Sequence, residues 1–445
     1  MSNMKTPIYD FVKKYIRSGT ARLHMPGHKG VKLLGFEKYD ITEMKGADSL
    51  YEAEGIIRES EENAGKLFGA DTFYSTEGSS HCIRSMLYLA TLKAKEKGKK
   101  PLILAGRNAH KAFLSAVATL DIDLMWLYGE NSYLSCTITP EKLEKILGSV
   151  DKMPTAVYIT SPDYLGNMCD ISALSGVCEK YGTMLLVDNA HGAYLKYLDK
   201  SMHPMDLGAT MCCDSAHKTL PALTGGAYLH ISKKAEDVFK NNAKHALAMF
   251  GTTSPSYLIL QSLDLVNKYI SDGYVKKLNS FLKNADRVKA ELIEYGYVFV
   301  GDERLKFTLN VKQNGYTGVD FADILRKNHK IECEFADSDY VVLMLSPDNK
   351  DLTRVKRALV QIERKSVITD ASPMLTASET VMSVREAMLS LSEEISVDNA
   401  EGRILASCTV SCPPAVPILM PGERITKEAI STFSYYGITN IKVIK

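Results

Sequence analysis

Little in this sequence points outward. Its 445 residues carry 54 Lys and Arg against 53 Asp and Glu, a formal net charge of +1. That balance excludes the broad basic field of a nucleic-acid or membrane-surface binder, so an anionic ligand needs a local site. No apolar run is long enough to cross a bilayer. The opening MSNMKTPIYDFVKKYIR has no apolar signal core ahead of a small-residue cleavage site. A cytoplasmic protein with neither membrane nor nucleic-acid partners is expected. Cysteine is present but unpatterned: Cys82, Cys136, Cys169, Cys178, Cys212, Cys213, Cys333, Cys408 and Cys412 make an odd nine with no Cys-x-x-Cys pair. This argues against a disulfide framework or a zinc site, and no metal is expected. The thiols read as reduced, mostly buried small hydrophobes. Internal repeats and low-complexity tracts are missing as well.

What is present is strand–helix alternation. PLILAG (101–106), TAVYIT (155–160), TMLLVD (183–188) and ATMCC (209–213) read as buried strands. SSHCIRSMLYLATLKAKEKGKK and DISALSGVCEKYG read as helices between them, the second closing on a glycine stop. The pattern predicts an α/β fold with a mostly parallel central sheet covered on both faces. The texture changes near 270, where GYVKKLNSFLKNADRVKAELIEYG predicts a long helix ending at Gly296. Past 365, MSVREAMLSLSEEIS looks helical and SCPPAVPILMPGERI is a Pro-rich turn segment. The expected domains are an N-terminal arm and large domain over 1–270, a small α+β domain over 271–365, and a C-terminal domain over 366–445.

Ligands of open α/β sheets sit outside the carboxyl ends of the strands, and three segments fall there. STEGSSH (75–81) combines a turn glycine, Gly78, with hydroxyls and a helix start. Those parts suit a phosphate, or equally a plain helix cap. In LLVDNAHGAY (185–194), Asp188 ends an apolar strand. A buried carboxylate needs a partner, either the next turn or a cationic ring N–H. In CCDSAHKTLPALTGGAYLH (212–230), Lys218 follows Ser215 and His217. A lysine with a pKa of about 10.4 becomes a nucleophile when a dry or cationic pocket lowers that value; otherwise it is a solvated loop residue. Together, a phosphate cradle, a strand-end acid and a Ser-x-His-Lys are the parts pyridoxal phosphate needs. Their order fits the large domain of the aspartate-aminotransferase-like fold, PLP fold type I.

The chain also resembles the Orn/Lys/Arg decarboxylase family in its short bacterial form. The likeness runs through HMPGHKG (24–30), RNAHKAF (107–113), SPDYLGNMCDI (161–171), VDNAHGA (187–193), DSAHKTLPALTGGAYLH (214–230), TTSPSYLILQSLD (252–264), SVREA (383–387) and CPPAVPILMPGERI (412–425). The resemblance implies Lys218 as the Schiff-base lysine, Asp188 at the pyridine nitrogen and His110 stacked on the ring. It implies Ser79, Ser80, Ser215 and His217 around the phosphate, beside Gly78, with His191 close to the cofactor. Glu334, in IECEFAD, matches an acid near the substrate's distal cation, although a solvated strand acid would read the same way. HMPGHKG would line the site, or its His24 and His28 would be structural.

Three departures stand out. Glu77 replaces a common Asn, Asn189 a frequent Glu, and Cys412-Pro-Pro-Ala a Tyr-Pro-Pro-Gly pattern. An acid beside a phosphate should point away or accept backbone N–H groups. The receiver-like domain of the long members is lacking, so a homodimer or tetramer is expected, with 252–257 resembling a segment that reaches the neighbour's phosphate site. The implied activity is PLP-dependent decarboxylation of arginine, lysine or ornithine to agmatine or a diamine, feeding polyamine synthesis. Transamination, aldol-type cleavage or a silent regulatory relative are the alternatives.

Overall fold

The computed structural model describes residues 4–129, 134–370, 372–373, 377–408 and 416–445. The altered stretch 412–415, with Cys412, lies outside them. Seven strands build the large sheet: β1 (Asp71–Ser75), β2 (Leu102–Gly106), β3 (Asp123–Leu127), β4 (Ala156–Thr160), β5 (Met184–Asp188), β6 (Met211–Asp214) and β7 (Ala227–Ile231). Their order is β1-β7-β6-β5-β4-β2-β3. β5 pairs with β6 in parallel, as β2 does with β3, while β7 runs against both β1 and β6. The sheet is thus mostly parallel, as the alternation predicts. The four expected strands are all present as β2, β4, β5 and β6. Continuous apolar runs suit strands covered on both faces, and every residue of β2 and β6 is buried.

The chain divides into two compact units, and the divide falls inside β4. The first comprises residues 1–99, 155–157 and 171–278. It holds β1, β5, β6 and β7 with α1 (Pro7–Arg17), α2 (Ile56–Phe68) and α3 (Ser79–Glu96). The second comprises 100–154, 158–170 and 279–445. It holds β2, β3, α4 (Lys111–Leu120) and α5 (Pro140–Leu147). It also holds β8 (Phe299–Val300), β9 (Lys306–Asn310), β10 (Phe335–Ala336) and β11 (Tyr340–Met344), which form an antiparallel sheet in the order β10-β11-β9-β8. In the first unit α6 (Ile171–Lys180) ends just before Gly182, whose φ of +63 supplies the expected stop. Among the described cysteines eight are free thiols, and six of these are buried.

One expected helix is only partly a helix. Ser383 and Glu386 form a reciprocal capping box that starts a short helix over Val384–Leu389. The following Ser392–Ser396 is instead strand β12, paired antiparallel with β13 (Asn440–Ile444). Its local propensity is overridden by a partner some fifty residues away, where Ile441 and Val443 turn inward to the core.

The RNAHKAF segment contributes a buried ion pair within the second unit. Arg107 Nη2 donates to Glu423 Oε2 at 2.8 Å, and neither side chain is more than 4% exposed. The Met420 N–H donates to the same oxygen at 2.8 Å, and the guanidinium lies 5.5 Å from the Trp126 ring centre. Burial pushes the Glu423 carboxyl up, while Arg107 acts to lower it. Removing one partner strands a buried charge, so Glu423→Ala is expected to cost about 3 kcal/mol. Urea unfolding checks this: a loss of only a few tenths, roughly the worth of a surface pair, would contradict a dry ion pair.

Candidate active site

Three segments of the first unit carry most of the expected residues. After β1 the chain turns through Thr76, Glu77 and Gly78 into α3. Gly78 has a φ of +74, and a Cβ there would meet nothing within 4 Å, so the helix start opens on space. No side chain caps α3 and no acid sits in its first turn. Its leading N–H groups therefore suit an anion. The Gly78 N–H donates to Gly225 O at 2.7 Å. A Cβ on Gly225 would lie 2.7 Å from Thr76 O, and its φ is +96, so this close approach requires glycine. Glu77 is exposed, and its Oε1 accepts the Thr252 N–H at 2.7 Å. That is one of the two arrangements expected of an acid placed here.

The register of β5 and β6 sets Asp188 opposite Cys213. Both strand ends therefore deliver their chemistry at one level of the sheet. Asp188 is 3% exposed; its Oδ1 accepts the Ala190 N–H at 3.2 Å and the Cys213 thiol at 3.6 Å. The following turn carries the buried His191. β6 leads into Ser215 and the one-turn helix α7 (Ala216–Thr219). On α7, the half-buried Lys218 places Nζ 3.0 Å from His191 Nε2. Ser215 Oγ donates to Ser79 Oγ at 2.8 Å, joining the lysine turn to the start of α3, where Ser80 follows. His217 donates from Nδ1 to Gly226 O at 3.0 Å, so it would meet an anion through Nε2.

His110 and Glu334 belong to the second unit. His110 is the N-cap of α4, its Nδ1 accepting the Ala112 N–H at 3.0 Å. Glu334 is half-buried just before β10, and its Oε1 accepts from Tyr164 Oη at 2.9 Å. The Tyr164 ring stands edge-on to Phe335 at 5.3 Å. Glu334 therefore has a fixed partner, unlike a loose strand acid. Nearby, burial pushes the Asp337 carboxyl up to about 6. His24 and His28 are tied within the N-terminal arm, to Tyr15 Oη at 2.7 Å and Asp40 Oδ2 at 3.2 Å.

Sequence reasoning gave no site role to Tyr164 or to a buried group of Asp214, His203, His230 and Asn189. Asp214 offered a signal, since it ends an apolar strand as Asp188 does. The two histidines, in a loop and a neighbouring strand, offered none.

Comparison with known proteins bears on the chain as a whole. The family model described as Orn/Lys/Arg decarboxylase, major domain, matches residues 6–300, and that of the C-terminal domain matches 363–440. An arginine decarboxylase of Bacillus subtilis (strain 168) is 28% identical over 97% of this chain and 93% of its own length. One from Halalkalibacterium halodurans is 28% identical over 96% of this chain and 92% of its own. The crystal structure of a Francisella novicida lysine decarboxylase superposes with a TM-score of 0.80 at 16% identity, covering 100% of this chain and 82% of that one. The architecture is that of PLP fold type I enzymes.

Proposed function

The chain belongs to the Orn/Lys/Arg decarboxylase family, and from that premise we propose that it removes the α-carboxyl group of a basic amino acid with pyridoxal phosphate as cofactor. Arginine is the first substrate to test, because full-length relatives are arginine decarboxylases. Agmatine would then be the product and would enter polyamine synthesis. The observation that carries the proposal is the Lys218–His191 contact at 3.0 Å, beside an uncapped helix start joined to it through Ser215 and Ser79.

The donor set fits the cofactor. Space above Gly78, free of anything a Cβ would touch within 4 Å, leaves room for a phosphate at the N-terminus of α3. Ser79, Ser80, Ser215 and His217 would hold it there. Bound there, pyridoxal phosphate supplies an electron sink for the pair left at Cα when carbon dioxide departs. Asp188, almost wholly buried, would hold a proton on the ring nitrogen. His191 Nε2, 3.0 Å from Lys218 Nζ, would take the ammonium proton and leave the amine nucleophilic. The same nitrogen pair would later return a proton to Cα. His110 as ring-stacking group and Glu334 as distal acid rest on the family likeness, as does an assembly of at least two copies.

Comparing kcat/KM for arginine, lysine and ornithine, with the amine identified each time, tests the substrate. Arginine is expected to lead; preference for lysine or ornithine would overturn that choice. Glu334→Gln tests the distal acid. A charge-assisted hydrogen bond is worth about 1.5–3 kcal/mol, so kcat/KM should fall roughly ten- to a hundredfold. The loss should sit mostly in KM, with cofactor content unchanged. Unaltered kinetics would place the distal acid elsewhere, with Asp337 next in line.

A further inference from the structure

Behind Asp188 and Lys218, polar side chains meet where no water reaches. Asp214, the last residue of β6, is 0% exposed, as are Asn189, His203 and His230. Asp214 Oδ2 accepts from His203 Nε2 at 3.0 Å and from His230 Nε2 at 3.1 Å. Its Oδ1 accepts from Asn189 Nδ2 at 2.6 Å. His203 Nδ1 accepts the Met205 N–H at 3.3 Å, which places that ring's proton on Nε2. His230 Nδ1 meets Thr72 Oγ1 at 2.8 Å. Burial alone would push the Asp214 carboxyl up, but the two imidazoles hold it well below the usual range. Burial pushes His230 down, against the pull of Asp214. The cluster is therefore one carboxylate gripped by three N–H donors.

A metal would fit the donor types, since the two imidazoles and the carboxylate lie within reach of one cation. Ligation through His203 Nε2 would move that ring's proton to Nδ1, against the Met205 N–H it now accepts.

The Asn189–Asp214 pair sits one residue from each half of the candidate site. Asn189 follows Asp188, and its N–H donates to Cys213 O at 3.0 Å. Asp214 precedes Ser215, whose carbonyl accepts the Lys218 N–H at 3.0 Å. The turn that carries His191 is folded tightly over the amide: a Cβ on Gly192 would lie 2.0 Å from Asn189 Oδ1. We propose that Asp214 is a positioning residue for the cofactor site, gripping Asn189 to set Asp188 and His191 against the turn that carries Ser215 and Lys218. This rests on the reading that the site binds pyridoxal phosphate.

The grip needs one acid and one amide. Asn189→Asp would set two carboxylates 2.6 Å apart in a dry interior, where both cannot be ionised. The exchange variant Asn189→Asp/Asp214→Asn restores one of each. An Asn at 214 keeps an oxygen for both imidazoles and turns its NH₂ toward the new acid.

Apoenzyme of each variant is titrated with pyridoxal phosphate by absorbance, at a temperature where circular dichroism shows it folded. Asn189→Asp is expected to weaken binding at least about tenfold, the scale of one charge-assisted hydrogen bond, and to alter the bound cofactor's spectrum. The exchange variant should return to within about threefold of wild type. Should Asn189→Asp not fold, Asn189→Ala replaces it, with the same tenfold loss expected from removal of the bond. A folded single variant with wild-type affinity and spectrum would overturn the inference, because a purely structural cluster would move only the melting temperature. An exchange variant no better than Asn189→Asp would overturn it too. Failure of the wild type itself to bind the cofactor would overturn the functional reading on which the inference rests.

Discussion

Lys218→Ala is expected to abolish turnover, by on the order of 10⁴-fold or more, while leaving the fold intact. Lys218 occupies a one-turn helix whose start, Ser215, is already tied to Ser79, so truncating its side chain removes chemistry without opening the core. Its Nζ bonds to His191 Nε2 at 3.0 Å, the geometry of a nucleophile beside its proton acceptor. Borohydride treatment of cofactor-loaded protein, followed by peptide mapping, checks the assignment. Wild type should carry the cofactor on the peptide containing Lys218, and the variant on none. Cofactor fixed by borohydride in Lys218→Ala would show that another lysine does this work.

Asp188→Asn is expected to lower kcat by about a thousandfold, the scale of a preorganised electrostatic group. The amide keeps an oxygen for the Ala190 N–H, which lies 3.2 Å from Oδ1, so the turn should persist. What goes is the carboxylate proposed to favour a protonated ring nitrogen. That charge matters most as electron density leaves Cα, so kcat should suffer far more than cofactor affinity. Steady-state kinetics and cofactor titration on the same preparation decide it. A near-native kcat would make Asp188 an ordinary turn residue.

Much of this arrangement was legible before any coordinates. β5 and β6 are continuous apolar runs that each close on an acid, and such runs are read from local sequence. Lys218 announced itself by its neighbours Ser215 and His217. What could not be read were partners brought close only by the fold. Tyr164 lies 170 positions from Glu334, and nothing around either residue foretells their hydrogen bond. His230 faces Asp214 because β6 and β7 pair antiparallel, and His203 because a loop returns beneath them. Asn189 looked like a lost acid when compared with the family pattern. In the folded chain the negative charge lies across the pair, on Asp214, where Asn189 donates to it. β12 was read as helix because its partner, β13, comes last in the chain.

The central claim is that this site breaks the bond from Cα to the carboxylate. Purified protein loaded with pyridoxal phosphate is given arginine carrying an isotopic label in its α-carboxyl group. Released carbon dioxide and the amine formed are then counted together. The account predicts labelled carbon dioxide and agmatine in equal amounts, with no keto acid. A keto acid with the label retained, or a cofactor-loaded protein that turns over no basic amino acid, would contradict it.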